Sequence, residues 1–389
     1  MNGTENKEKI TGILCLNPGS SSLKWAVYPT LSAERSVAES KTTMDEGRAE
    51  LLKLIKNYSI GLCLIRFVHG GVKFVHPVQI TGENISELED LQEMAPLHNS
   101  SSLELCRLLQ EISPDLKLIA VFDTEYFHFL PQVSQLYGLS RDLTEKYNIR
   151  RYGFHGFAHS AMSKSWEEIS HVTRGSENDS RLITLQLGSG CSMAAIKNGQ
   201  PIDTTMGFTP NDGLLMSTRC GEIDPGLVTW LQRKEGWTSE ETDYYLNEQS
   251  GWFGLSAESK DMAEVISSKS NGASMALSLF IHRIHKNLGA YFALLGGLDG
   301  IVLSGGIAEH AMPFCRRILA NLGHLGIEMS ADGDFCQAVN IKGMDAYCLS
   351  IPDSRVSCWS VKGSEHLAMM DSVARSPDAI RDNKKNKID

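Results

Sequence analysis

The chain has 389 residues, 42% hydrophobic and 22% charged, a composition typical of a soluble globular protein of two domains. Its net charge of -10 argues against broad binding to nucleic acid or to a membrane surface, because both select a basic face. The nine cysteines include no C-x-x-C pair, so we expect reduced thiols in a cytoplasmic protein rather than a zinc site or a disulfide framework.

Strands and helices alternate along the first half of the chain. Residues 12–30 read as two strands joined by a glycine-serine turn, and they follow a polar start without the apolar segment of a signal peptide. The next predicted elements, in order, are a helix at 51–57, a buried strand at 62–67, a helix at 93–111 and an apolar strand at 116–122.

The second half begins by repeating the first. Shifting the chain by 169 positions places Gly188 and Ser189 on Gly19 and Ser20, and both copies read strand, glycine-serine turn, strand. This repeat predicts two domains on a similar plan. The later predicted elements are a helix at 273–295, a strand and glycine turn at 300–310, a final helix at 357–375 and a disordered tail at 376–389.

Polar residues with a common chemistry are spread along these elements. The segment RRYGFHGFAHS, residues 150–160, combines arginines, histidines and glycines without an acid. Together with Arg66, Asp123 and Arg219 it offers the residue types of phosphoryl transfer, in which positioning and charge neutralisation do most of the catalysis. Each residue also has an ordinary structural interpretation, such as a paired surface arginine or a turn-forming aspartate.

Other common motifs are absent or incomplete. The sequence has no G-x-x-x-x-G-K-[ST] and no H-E-x-x-H, so it predicts neither a P-loop nor a zinc protease. Ser21-Ser-Leu-Lys24 matches the S-x-x-K of serine acylases, but the S-D-N and K-T-G partners of that motif are missing.

A set of longer motifs resembles acetate kinase, the acetate/propionate kinase family. In chain order they are LNPGSSSLKW, VHGG, APLHN, VFDT, RRYGFHG, DTTMGFTP, GLLMSTRCGEIDP and GGLDGIVLSGGI. The resemblance as a whole runs from about Ile13 to Pro352, over most of the chain.

The resemblance implies an α/β fold of two RNase H-like domains around a central cleft, as in actin, sugar kinases and heat-shock ATPases. It implies in-line phosphoryl transfer between ATP or ADP and a short-chain carboxylate, with Mg²⁺, by a cytoplasmic homodimer. We expect the first domain at residues 11–149 plus 356–375 and the second at residues 150–355.

The resemblance also assigns roles to residues by position. Arg66 and Arg219 are expected to hold the carboxylate and to neutralise the phosphoryl group in transfer. His155 is expected to hydrogen-bond to that group, and Asp123 to place the metal or the arginines. The implied pocket for the methyl group is formed by Val68, Leu97, Phe154 and Pro210.

A further implied set faces the phosphates, the nucleotide and the metal. Its members are Asn17, Ser20, Ser22, Lys24, His98, Arg150, Gly188, Ser189, Gly190, Asp261, Gly305, Gly306 and Ile307. Within it, Asn17 is implied beside the metal, together with Asp123.

The chain departs from the family pattern on this nucleotide and metal side. The departures are Gln186 for a His, Ser189 for an Asn, Ala263 for an Arg, and Ala308 and His310 in the GGIAEH turn. The family segment IPTNEE, which carries a metal-side Glu, is matched to IPDSRV, and this places Arg355 in that position.

Three functions therefore stay open at this point. The first is an acetate kinase with modified ATP contacts. The second is an acyl-phosphate kinase that uses pyrophosphate, inorganic phosphate or another acceptor, since the phosphate-side residues are better kept than the adenosine-side ones. The third is a non-catalytic relative that binds an acyl phosphate or a partner.

Overall fold

The chain divides into two compact units. A computed structural model describes residues 11–19, 22–93, 96–174, 180–330, 336–341 and 344–379. One unit comprises the residues up to Glu125 together with those from Ser364 onward, and the other comprises Tyr126–Gly363. Of the expected disordered tail, Pro377–Ala379 form a short 3-10 turn, and residues 380–389 lie outside the described part.

The first unit contains six strands and four helices in its described residues. They are β1 Thr11–Pro18, β2 Ser22–Tyr28, β3 Ala38–Thr43, α1 Gly47–Asn57, β4 Ser59–Phe67, β5 Val78–Gln79, α2 Ile85–Asp90, α3 Pro96–Ile112, β6 Lys117–Phe122 and, at the other end of the chain, α14 Glu365–Arg375.

The first sheet has the strand order β3-β2-β1-β4-β6-β5. Strands β1, β2 and β3 are antiparallel neighbours, whereas β1, β4 and β6 run parallel. The parallel strands are continuous apolar runs because both of their faces are buried. The outermost strand β3 is polar, AESKTT, as suits an exposed sheet edge.

The second unit contains seven strands and ten helices in its described residues. They are α4 Gln132–Gln135, α5 Arg141–Tyr147, α6 Gly156–Arg174, β7 Arg181–Leu187, β8 Cys191–Lys197, β9 Gln200–Thr204, α7 Pro225–Glu235, α8 Ser239–Glu248, α9 Gly251–Ser256, α10 Met262–Ser267, α11 Asn271–Leu295, β10 Gly300–Ser304, α12 Gly306–His310, α13 Met312–Leu319, β11 Cys336–Ile341, β12 Met344–Cys348 and β13 Ser357–Val361.

The second sheet repeats the topology of the first. Its order is β11-β12-β13-β10-β7-β8-β9, with β7, β8 and β9 antiparallel and β7, β10 and β13 parallel. Strand β8 begins 169 residues after β2 and both strands are seven residues long, as the sequence repeat predicts. Each sheet therefore contains the RNase H-like arrangement, and the predicted α/β class is confirmed.

The structure differs from the sequence-based expectation near the end of the chain. The final helix was expected to begin at Ser357, but residues 357–361 form strand β13 and the helix begins at Glu365. The segment SCWSV is a strand because it pairs with both β10 and β12. For the same reason this strand belongs to the second unit, whose boundaries fall after Glu125 and Gly363 rather than after residues 149 and 355.

The 25-residue helix α11 carries clear signals at both of its ends. Helix α11 begins after Ser270, whose hydroxyl accepts the backbone N–H of Ala273 at 3.0 Å, and it stops at Gly296 with a left-handed φ of 70°.

No helix in the described ranges combines the length and the apolar character needed to cross a bilayer.

Candidate active site

Three polar side chains meet at one edge of the first sheet. Asn17 and Arg66 are the next-to-last residues of β1 and β4, and Asp123 directly follows β6. Because these strands are parallel, their carboxyl ends lie side by side. Arg66 Nη2 donates to Asp123 Oδ2 at 2.6 Å, and Arg66 Nη1 donates to Asn17 Oδ1 at 3.1 Å. The guanidinium is thus fixed by two neighbouring strands.

A fourth polar side chain reaches this cluster from α14. The Asn17 amide donates a hydrogen bond to Glu365, the first residue of that helix. Burial opposes the positive charge of Arg66, but the carboxylates of Asp123 and Glu365 more than offset this effect and raise the pKa of Arg66. The cluster therefore holds a permanent cation between two acids.

Helix α3 holds the loop that follows Arg66. Ser102 Oγ donates to the backbone carbonyl of Arg66 at 2.7 Å, and Asn99 Oδ1 accepts the N–H groups of Val68 and His69 at 3.1 and 3.2 Å. His69 is fully buried, and burial lowers its pKa to about 4, so the ring is neutral at pH 7. The backbone around Arg66 is consequently rigid.

In the second unit, two polar side chains lie beside the turn between β7 and β8. Gly190 ends this turn, and a Cβ atom on Gly190 would lie 3.3 Å from the His155 ring and 3.8 Å from Arg219 Nη1. His155 itself has a φ of 58°, an uncommon conformation for a residue with a bulky side chain. The turn, the imidazole and the guanidinium therefore share one small region, as the sequence motifs predict for a bound anion.

Arg219 is held by its own loop. Its Nη1 donates to the Pro210 carbonyl at 3.1 Å, and the Ser217 N–H donates to the Ser189 carbonyl at 2.9 Å, which ties this loop to the glycine turn. Burial lowers the pKa of Arg219 against a smaller opposing effect of Glu248, yet a guanidinium stays charged at pH 7.

The four expected catalytic residues thus form two pairs. Arg66 and Asp123 are in direct contact in the first unit, and His155 and Arg219 are neighbours in the second. Of the expected methyl pocket, Val68 is buried in the first unit. Phe154 is buried in the second unit, which also contains Pro210.

Several expected residues are only partly described. Ser20 lies outside the described residues, and so do the side chains of Leu97 and His98, whose backbones belong to α3. Ser22 is half-buried and its carbonyl accepts the Gly19 N–H at 2.7 Å. Lys24 is exposed on β2.

The remaining expected phosphate and nucleotide residues occupy different elements of the second unit. Asp261 caps α10 by accepting the Ala263 N–H at 2.9 Å. Gly305, with a φ of 94°, precedes Gly306 and Ile307 at the start of α12. The Gly305 backbone needs a glycine, because a Cβ there would approach the Leu187 carbonyl to 2.6 Å.

Arg150 and Gln186 each have an unsatisfied polar atom. The Arg150 guanidinium lies 5.5 Å from the centre of the Tyr152 ring and burial lowers its pKa. Neither Arg150 Nε nor Gln186 Oε1 has a hydrogen-bond partner among the described residues, although both atoms are buried. Ser189, at the tip of the β7–β8 turn, is exposed.

Arg355 lies elsewhere than the sequence argument expected. It precedes Ser357, which pairs with Gly300 at the amino ends of β13 and β10, whereas Gly188 follows the carboxyl end of β7. Its Nη2 donates to the Leu325 carbonyl at 2.9 Å. Arg355 is therefore at the opposite edge of the second sheet from the glycine turn.

The acid that the sequence argument missed is Glu365. Glu365 lies ten residues after Arg355 and accepts a hydrogen bond from Asn17. A usable signal was present in Ser364-Glu365, because a serine before an acid marks a helix start. Asn17, Asp123 and Glu365 are oxygen donors of the kind that Mg²⁺ prefers.

These donors fit a magnesium ion. In the described ranges no cluster of three or more His, Cys, Asp or Glu side chains has the geometry of a metal cage. Mg²⁺ is commonly bound by one or two carboxylates together with substrate phosphates and water, so the Asn17–Glu365 pair is a sufficient protein contribution.

Comparisons with known proteins agree with these observations. A model described as the Acetokinase family matches residues 49–371. An acetate kinase of Halothermothrix orenii is 37% identical over 313 residues, which cover 80% of this chain and 76% of that protein. An acetate kinase of Rhodopseudomonas palustris is 34% identical over 404 residues, which cover 95% of this chain and 99% of that protein.

Solved structures give the same result. The crystal structure of Porphyromonas gingivalis acetate kinase has a TM-score of 0.80 at 29% identity and covers 95% of this chain and 100% of its own. A propionate kinase from Francisella tularensis has a TM-score of 0.82 at 29% identity, with coverages of 93% and 98%.

Proposed function

The chain belongs to the acetokinase family, and we propose that it transfers a phosphoryl group between ATP and acetate or propionate, making or using an acyl phosphate. The observation that carries this proposal is the placement of His155 and Arg219 close to the same glycine, Gly190. A hydrogen-bond donor and a cation beside a glycine turn suit a phosphoryl group whose charge is spread over three oxygens.

The carboxylate substrate needs no general base. A carboxylic acid with a pKa of about 4–5 is already ionised at pH 7, so the obstacle is its repulsion from the phosphate. Arg66 and Arg219 address this obstacle by neutralising the substrates, and an arginine of this kind contributes roughly 4–7 kcal/mol to lowering the barrier.

Asp123 acts in this proposal as an organiser of Arg66. Its carboxylate lies 2.6 Å from the guanidinium and is almost fully buried, so it orients the arginine rather than accepting a proton. Val68 and Phe154, both buried, are proposed to contact the methyl group and to select short acids.

Asn17 and Glu365 are the proposed protein ligands of Mg²⁺. When bound, the ion shields the negative charge of the phosphates. Asn17 hydrogen-bonds to both Arg66 and Glu365, and Glu365 is the proposed metal-side carboxylate. Both residues belong to the first unit.

A second donor deserves a test because of two residues on the nucleotide side. Ala263 is exposed and has no polar side chain, and the Asp261 carboxylate is occupied in capping α10. Both observations weaken the expected contacts to adenosine and favour pyrophosphate as the alternative phosphoryl donor.

A hydroxamate assay for the acyl phosphate distinguishes these functions. The purified protein is incubated with acetate or propionate and hydroxylamine, with ATP and Mg²⁺ or with pyrophosphate and Mg²⁺. We expect product with ATP, and product with pyrophosphate alone would establish the alternative. If neither donor gives product, the protein is a non-catalytic binding protein. The Arg219→Ala variant, purified in the same way, is the control: any product it forms measures contamination by kinases of the expression host.

We also propose that the protein is a cytoplasmic homodimer. Large apolar side chains are exposed along one segment of the second unit and suit a subunit interface: Phe129, Val133, Leu136, Leu139, Leu143 and Tyr147. The eight described cysteine side chains are free thiols, as is usual in the reducing cytoplasm. Light scattering of the purified protein measures the mass and tests the dimer.

A further inference from the structure

Four side chains of the second unit form one continuous chain of hydrogen-bonding groups that ends at His155. Thr184 Oγ1 of β7 lies 2.7 Å from His159 Nδ1, on α6. His159 Nε2 lies 2.8 Å from Ser192 Oγ of β8, and the same oxygen lies 2.8 Å from His155 Nδ1. Thr184, His159 and Ser192 are fully buried.

The chain has one direction that satisfies its hydroxyl groups. In the described part of the structure, Thr184 Oγ1 has a single polar partner, His159 Nδ1. A buried hydroxyl hydrogen without an acceptor is costly, so Thr184 donates to His159 Nδ1. His159, neutral, then carries its hydrogen on Nε2 and donates it to Ser192 Oγ.

The last step fixes His155. Ser192 Oγ accepts from His159, so its own hydrogen is directed to His155 Nδ1. With Nδ1 acting as an acceptor, neutral His155 carries its hydrogen on Nε2. That nitrogen is on the side of the ring that faces the glycine turn, 3.3 Å from the position of a Cβ atom on Gly190.

We infer that Thr184, His159 and Ser192 are positioning residues that hold His155 as the neutral Nε2–H tautomer, ready to donate to the phosphoryl group. This inference rests on the proposed function, in which His155 contacts that group. The opposite tautomer would present a lone pair to an anion. The three residues act through His155 and do not contact the substrates.

Nuclear magnetic resonance of the free protein tests the tautomer without any substrate. Long-range ¹H–¹⁵N correlations are recorded on full-length protein labelled with ¹⁵N-histidine, and His155 is assigned by its loss in His155→Asn. We expect the Nε2–H pattern for His155 in the unmodified protein. Ser192→Ala should convert it to a mixture of tautomers, because Nδ1 loses its donor.

Kinetics give the second readout. Ser192→Ala is expected to lower kcat by about 10- to 100-fold, as does loss of the partner that orients a metal-ligating histidine. The KM for acetate should change by less than about twofold, because ground-state binding is unaffected. Thr184→Val, which keeps the shape but removes the hydroxyl, should produce a smaller loss, and Thr184→Ser should restore the rate.

Ser165→Ala is the matched control. Ser165 is also a buried serine near His159 on α6, but its hydroxyl bonds to the Ala161 carbonyl of the same helix at 3.0 Å. This variant should leave both the His155 tautomer and kcat unchanged.

Two results would overturn the inference: an Nδ1–H pattern for His155 in the unmodified protein, or an unaltered pattern in Ser192→Ala. If Ser192→Ala does not fold, the unmodified protein and Thr184→Val decide the question. A protein that is inactive with every donor would refute the proposed function, while its spectrum would still decide the tautomer.

Discussion

Equivalent positions of the two sheets differ in charge. Asn17 in β1 corresponds to Gln186 in β7, 169 residues later. Continuing the strand registers, Arg66 corresponds to Ser304 and Asp123 to Gly363. The first unit thus places an arginine between acids, whereas the second places a hydroxyl that accepts the Gly363 N–H at 3.2 Å.

This difference shows how one backbone plan serves two tasks. In the first unit the carboxyl ends of the parallel strands hold charged groups in fixed contact. In the second unit the corresponding positions are neutral, and the charged Arg219 comes from a loop beside the β7–β8 turn. The fold supplies a common edge, and the residues placed on that edge decide its chemistry.

The largest expected effects come from removing the arginine of each unit. Arg66→Ala and Arg219→Ala should each lower kcat by at least about 100-fold, because each removes a cation that offsets the charge of the phosphoryl group. Their effects on stability should differ. Arg66→Ala removes the partner of a buried carboxylate, Asp123, at a cost of about 3–5 kcal/mol.

Arg219→Ala should cost less stability than Arg66→Ala in urea unfolding, because burial opposes the charge of Arg219 and lowers its pKa, whereas neighbouring carboxylates raise the pKa of Arg66. Arg48→Ala is the control, since the Arg48–Glu111 pair is exposed and should contribute less than about 1 kcal/mol. Equal stability losses for the two arginine variants would contradict the contrast between the units.

An intermediate effect is expected on the metal requirement. Glu365→Gln should raise the Mg²⁺ concentration for half-maximal activity by about tenfold or more, because the carboxylate beside Asn17 loses its charge. Arg355→Glu should leave the Mg²⁺ titration unchanged, because Arg355 lies at the other edge of its own sheet. A response to Arg355→Glu alone would return the metal-side position to residue 355.

The smallest expected effects are on stability, and they concern the side-chain amides of Asn17 and Gln186. Asn17→Leu should destabilise the protein by about 1–3 kcal/mol, because Asn17 bonds to both Arg66 and Glu365. Gln186→Met should change the free energy of unfolding by less than about 1 kcal/mol, because Gln186 Oε1 has no partner to lose in the described structure. Urea unfolding measures the stability of both variants. Similar losses of stability would mean that the two amides contribute equally to the fold.

Much of the fold was predictable because its signals are local. The glycine-serine turns and the apolar strands beside them predicted the two repeated hairpins, and the run ending at Asp123 predicted β6. The segment SCWSV was ambiguous by itself. It is a strand because of its neighbours β10 and β12, and pairing between distant segments leaves little trace in a short sequence.

The site was predictable to the extent that motifs carried it. Arg66, Asp123, His155 and Arg219 were selected from motifs, and their contacts came from the structure. Glu365 was missed because the alignment followed a proline rather than the helix start. The spacing of His155 and His159 by four residues could have suggested that they act together, but Ser192, which joins them, has no sequence signal.

The last helix, α14, completes the first unit although the whole second unit is synthesised before it. Asn17 and Glu365, which share a hydrogen bond, are separated by 348 positions. On the ribosome, the second unit can therefore fold before the first unit has its last helix, and a chain that stops short of this helix lacks Glu365 and its hydrogen bond with Asn17.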